Sequence, residues 1–285
     1  MKSIYLSLII ALTTLASCTL LEKPEAFADK EDIFASEQGL EAYALSFYRH
    51  LPTLKSIPTC EASNVDYAAC RSYSTYYTEN TYNAETPTSW SWGNLRSINY
   101  FIDGLNSDIC LVDEETKNHY EGLARWFRAY FYYDKLTKYG AVPWYDHCLS
   151  NTEVDQMYKP RDSRDVIIGH IIEDLEFAYQ HITTTSSTGN TLISKYAAAA
   201  LLSRVCLFEA SWRKYHGEDG GEWGSRQLYL KAIEAAKIVM DSKKFSLNLT
   251  IVSDSYIDSN SRGAYRSLFY SRNILTGEVI LGAAA

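Results

Sequence analysis

Between Tyr73 and Trp92 the chain carries Tyr73, Tyr76, Tyr77, Tyr82, Trp90 and Trp92, interleaved with Asn80 and Asn83 and followed by Asn94. Aromatic planes offer stacking surfaces to apolar C–H faces, and side-chain amides both donate and accept hydrogen bonds. A platform of this make-up suits flat, hydroxyl-rimmed solutes, which is the chemistry of neutral sugars. Asp66 and Arg71 stand upstream in the same stretch and would add polar contacts, although a charged loop residue is commonly just solvated. The candidate binding residues are therefore Trp90, Trp92, Asn94, Tyr77, Tyr82, Asp66 and Arg71. Trp92 also opens a helical stripe and reads more readily as a packing residue, which leaves Trp90 the better ligand contact.

A second piece of chemistry sits at the start. Lys2 precedes an apolar run from Ile4 to Leu15, and the small residues Ala16 and Ser17 lead into Cys18. The run is too short to span a bilayer, and its charged start and small-residue end fit a secretory signal. A cysteine placed there resembles the lipobox of bacterial lipoproteins, whose thiol is acylated and becomes the mature amino terminus. The expected organisation is a signal peptide over 1–17, an acidic tether over 18–32 and one helical domain over 33–285. Two or more acyl chains anchor stably where one holds weakly.

Other chemistries find no support. There is no Gly-x-Ser-x-Gly elbow, Walker loop, Rossmann glycine fingerprint or His-Glu-x-x-His pair, so no enzyme is expected. The six cysteines are Cys18, Cys60, Cys70, Cys110, Cys148 and Cys206; none has C-x-x-C spacing and no histidine cluster accompanies them, so no metal or cofactor is expected. Cys60 and Cys70 share a loop-like region and could pair, whereas Cys206 reads as a small core residue. The formal net charge of −8 would become −9 on losing Lys2. An acidic chain is poorly suited to phosphate backbones, which argues against nucleic-acid binding.

These residues must be held by helices. Ser36 caps a first helix with Leu40, Tyr43, Ala44, Phe47 and Leu51 along one side, ended by Pro52. No period holds from Thr53 to Ser89. Leu95, Ile98, Ile102 and Leu105 mark a second helix, and an unusually aromatic third runs from about Asn118 to Tyr139, closed by Gly140 in a left-handed conformation. Asp162 or Ser163 caps a fourth, with a stripe of Val166, Ile167, His170, Ile171, Leu175, Ala178 and Ile182, while Glu173 and Asp174 face water. Ser194 opens an alanine-rich fifth, and a last helix covers about Leu228 to Ser242. Arg128, on the third helix, must be paired if buried and reads as a structural clamp; Asn99 reads as a tie to neighbouring backbone. Strand-like alternation is confined to 245–249 and 278–281. The fold class is mainly α, with irregular tetratricopeptide-like helix pairs and long loops.

With those elements in order, Trp126-Phe-Arg-Ala-Tyr-Phe-Tyr-Tyr-Asp-Lys-Leu-Thr-Lys-Tyr-Gly-Ala-Val-Pro143 resembles the central motif of the SusD/RagB family. Trp92-Gly-Asn-Leu-Arg-Ser-Ile-Asn99 before it, Ile193-Ser-Lys-Tyr-Ala-Ala-Ala-Ala-Leu-Leu-Ser-Arg204 after it and Ser36-Glu-Gln-Gly-Leu-Glu-Ala-Tyr43 at the front resemble it too. The resemblance implies an outer-membrane lipoprotein facing the cell exterior, a partner SusC-type TonB-dependent transporter, and capture of oligosaccharide for import. A peptide-binding lid, or a scaffold that contacts only the transporter, is the alternative it leaves open. It also places Trp90 and Trp92 where the starch-binding member carries glycan-stacking tryptophans. Members of the family usually run to about twice this length, so the chain is expected to lack the C-terminal part of the fold.

Overall fold

The computed structural model describes residues 29–52, 90–184, 190–247, 274 and 277–282. The first helix among the described residues is α1 (Lys30–Phe34), inside the end of the stretch expected to be tether. Phe34 is fully buried, and its ring lies against Gly104, where a Cβ would collide with it. α2 (Glu37–Ser46) starts at Ser36, whose hydroxyl accepts from the Gly39 amide at 3.2 Å, and a 3-10 turn over Phe47–His50 carries the chain to Pro52.

Among the described residues, five further long helices form the body. α3 spans Gly93–Leu105 and buries Leu95, Ile98, Phe101, Ile102 and Leu105. α4 spans Glu114–Tyr139 and starts four residues before the expected Asn118. The reason is local: the Asp113 carboxylate accepts from the Thr116 amide and hydroxyl, both at 2.9 Å, satisfying a first-turn amide. Gly140 ends it at φ +70° and ψ −114°, so the positive φ expected of it is present, outside the left-handed helical well. After the short α5 (Val154–Met157), α6 spans Arg164–His181 with Ser163 as its cap. α7 (Lys195–His216) is capped by Ser194 and closed by Gly217 at φ +72°; α8 follows at Ser225–Asp241.

Packing follows chain order. α3 packs on α4, α4 on α6, α6 on α7 and α7 on α8, giving the mainly α, irregular tetratricopeptide-like stack and one continuous core. Small residues set the approach: a Cβ on Gly122 would reach Ile182 at 3.1 Å and the Ala178 backbone at 3.5 Å. Cys206 lies in that core.

Three expectations need correction. Val166 is 44% exposed, because the inward face of α6 is built from Ile167, Ile168, Ile171, Ile172 and Leu175. Asp174 does not face water: it is 1% exposed and meets Arg128 of α4 through two 2.7 Å hydrogen bonds. No strand forms among the described residues; the segments at 245–247 and 278–281 lie beside single backbone bonds, Ser246 N–H to Gly277 O (2.8 Å) and Gly282 N–H to Asn190 O (2.9 Å). The Asn190 amide also reaches Val279 O at 2.7 Å, clasping the end of the described chain onto the entry to α7.

Candidate functional site

The loop from Gly140 to Asp162 joins α4 to α6, and its two ends are pinned together. Asp162 N–H donates to Val142 O at 3.1 Å, and the Asp162 carboxylate accepts from the Trp144 amide at 2.7 Å. Inside that pin, one face of α3 grips the loop backbone. Arg96 donates to Leu149 O at 2.6 Å, Asn99 donates to Tyr145 O and His147 O at 2.8 and 3.0 Å, and the Asp103 carboxylate accepts from Cys148 N–H at 2.8 Å. Positions 96, 99 and 103 are three and four apart, which places them on one side of a helix.

Arg128 completes the clamp from α4. Its guanidinium forks onto Asp174, and its remaining Nη1 donates to Asp146 O at 3.1 Å and Asn99 Oδ1 at 3.3 Å. Three consecutive loop carbonyls, 145 to 147, are thereby fixed by buried side chains. A buried guanidinium must be fully paired, and this arrangement pairs it while spending its spare donors on the loop. Tyr132 adds a further tie, accepting from Tyr145 N–H at 2.7 Å and donating to Pro143 O at 3.3 Å; burial raises its pKa.

Between this loop and the start of α3 lies a cleft of about 630 Å³, within the range of small-molecule sites. Trp90 and Trp92 line it together with Tyr145, Tyr158 and Arg161 of the loop. Trp90 stands edge-on to Tyr139 (4.9 Å, 88°) and to Trp92 (5.2 Å, 79°), and the Arg161 guanidinium lies 5.1 Å over its ring. Trp92 also packs on Phe131, Tyr132 and Tyr145, so it both lines the cleft and belongs to the packing around it.

At the cleft margin His147 bridges Asp146 (2.7 Å) and Glu153 (2.9 Å). Those hydrogen bonds raise the histidine pKa, while Glu153 is lowered to about 2, first by the Ser150 backbone amide and then by His147. Lys159 sits 3.1 Å from Asp162 and 5.2 Å over the Tyr145 ring. No group of His, Cys, Asp and Glu among the described residues could hold a metal ion. The surfaces presented are aromatic planes and hydrogen-bond donors, fit for holding a solute by stacking and by its acceptor oxygens.

Of the residues named from sequence, Trp90 and Trp92 are brought together here. Asn94 lies in the first turn of α3, exposed and outside the cleft lining. Tyr77, Tyr82, Asp66, Arg71, Cys18, Cys60 and Cys70 lie outside the described residues. Sequence reasoning missed Tyr145, Tyr158 and Arg161. Their signal was present, since Trp144-Tyr145 and Tyr158-Lys-Pro-Arg161 mix aromatic and basic side chains in an aperiodic stretch, as Tyr73–Trp92 mixes aromatics with amides.

The sequence profile of the SusD-like family, described as starch-binding and associating with the outer membrane, matches residues 21–207. The chain is 24% identical over 288 residues to SusD-like protein P2 of Formosa agariphila, covering 95% of this chain and 53% of that protein. It thus spans about half the length of the curated relative it matches. Among solved structures, a SusD-like protein of Bacteroides fragilis superposes with a TM-score of 0.58 at 19% identity, covering 90% of this chain and 46% of that one. A SusD-like carbohydrate-binding protein of the same species gives 0.55 at 16% identity, over 76% and 42% of the two chains. B. fragilis NanU gives 0.54 at 19% identity, over 79% and 46%. At these identities the structural likeness speaks to the fold alone.

Proposed function

The chain belongs to the SusD-like family, and from that premise we propose that it is a non-catalytic outer-membrane lipoprotein that captures an oligosaccharide and delivers it to a SusC-type TonB-dependent transporter. In this reading residues 1–17 are the signal peptide, Cys18 is the acylated anchor, residues 18–32 are the tether, and the helical domain faces the cell exterior. The observation that carries it is the cleft between α3 and the 140–162 loop, lined by the aromatic rings of Trp90 and Tyr145, with the loop backbone at 145–147 held by buried side chains. A pre-fixed aromatic wall loses little freedom on binding, which favours weakly interacting, heavily hydrated solutes such as sugars.

Titration calorimetry of the mature protein against a panel of oligosaccharides tests the reading. Trp90→Ala is expected to weaken binding about tenfold, the equivalent of one aromatic contact of about 1.4 kcal/mol. Unchanged affinity in that variant would move the site elsewhere, and silence across the panel would remove the carbohydrate reading.

A further inference from the structure

The chain as a whole is acidic, with 35 Asp and Glu against 27 Lys and Arg. Its cleft is the reverse. Among the described residues no Asp or Glu lines it, while Arg96, Lys159 and Arg161 do, together with His147. Two of these cations are already matched, Lys159 by Asp162 at 3.1 Å and His147 by Asp146 and Glu153. The two arginines are not. Arg96 spends one nitrogen on the neutral carbonyl of Leu149, and Arg161 lies over the Trp90 ring; among the described residues neither has a carboxylate partner. Unpaired arginines are ordinary on a surface. Two that line one cleft, one of them over the ring of Trp90, are a different matter.

The hydrogen-bond inventory points the same way. A neutral sugar hydroxyl both donates and accepts, so a site for neutral glycans needs side-chain acceptors as well as donors. Here the amide oxygen of Asn99 already accepts from Arg128, and its nitrogen already serves Tyr145 and His147. Among the described lining side chains, what remains is richer in donors than in acceptors, the latter being the Tyr145 and Tyr158 hydroxyls. A guanidinium fork matches the paired oxygens of a carboxylate or sulfate, and the charge-assisted bonds it makes are about twice as strong as neutral ones.

Resting on the carbohydrate reading above, we infer that the ligand is an anionic glycan, an oligosaccharide whose carboxylate or sulfate groups are received by Arg96 and Arg161 while a ring stacks on Trp90.

The test uses the whole mature protein and two matched probe pairs: oligogalacturonides with their methyl esters, and sulfated galactan oligosaccharides with their desulfated forms. Calorimetry is expected to show the charged member of one pair bound at least tenfold more tightly, with the advantage shrinking as sodium chloride is raised. The pair that responds tells carboxylate from sulfate. Arg161→Gln and Arg96→Gln are each expected to lower affinity for the charged probe by about 10- to 100-fold, and Arg161→Lys by less, since it keeps the charge and loses the fork. The Arg161→Gln melting curve is expected to match the parent, its side chain being exposed, whereas Arg96→Gln also gives up the bond to Leu149 O and is read only beside it. Equal affinity within both pairs, or arginine variants that bind the charged probe as the parent does, overturns the inference and leaves the carbohydrate reading in place. No binding to any of the four probes overturns both.

Discussion

Arg128 and Asp174 show how one residue can be read correctly and its partner missed. A lone arginine in an aromatic, alanine-containing helix must be paired if it is buried. Asp174, flanked by Glu173 and Glu176, looks like part of a solvated face, and only the tertiary fold brings it to a cation 46 residues away. Removing one member of such a pair strands the other charge in the interior. Asp174→Ala is expected to cost about 3–5 kcal/mol, read from the denaturant midpoint, whereas Glu173→Ala, at an exposed position, should change little. A small shift for Asp174→Ala would mean that water reaches the pair. His147 makes a different kind of prediction. Its hydrogen bonds to Asp146 and Glu153 raise its pKa above 6.5, so its contribution is complete below that value and is lost as pH rises through the raised one. The carboxylates, lowered from 3.8 and 4.5, contribute above those values and lose their contribution as pH falls through the lowered ones. The 146–153 loop is therefore held most firmly between about pH 4.5 and 6.5. Amide protection across those residues, corrected for the intrinsic pH dependence of exchange, should be greatest in that window, and its decline above pH 6.5 should vanish in His147→Gln; a parent profile with no maximum there would sink the idea.

At the scale of the element, helix starts were the most legible part of the chain. Ser36, Ser163 and Ser194 each accept from the amide three residues on, as their side-chain chemistry dictates. The 140–162 loop was not legible, because what shapes it is spread over α3, α4 and α6 and leaves no period in its own sequence. Asn99 was the exception: an amide on an apolar stripe announced that it tied backbone, though not which backbone. α1 was missed for a related reason. Five residues are too few to form a helix by propensity, and this one is held by Phe34 lodging against Gly104 of α3. Gly104→Val should dislodge that ring and cost about 1–3 kcal/mol by overpacking, with new protease cleavage near Lys30. Thermal melts of the parent level, with α1 still protected, would show that the ring has room to move.

For the molecule as a whole, the aromatic pair Trp90 and Trp92 was visible from sequence, and the loop residues that line the cleft with them were not. The stack of helices was visible because every apolar stripe had a neighbour in sequence to cover it. Burial within that stack pushes the Cys206 thiol to a pKa of about 12, so it should resist alkylation in the native state and react only on unfolding. Residue-resolved mass spectrometry with iodoacetamide checks this against Cys110 and Cys148, both free and partly exposed. Each long helix leans mainly on its predecessor, so most of the stack forms between neighbours in the chain. Such a stack can condense progressively, each helix docking on the one before it. The clasp from Asn190 to Val279 breaks that order. It joins residues 89 apart in the chain, so it closes only once the entry to α7 and the 277–282 segment are both in place.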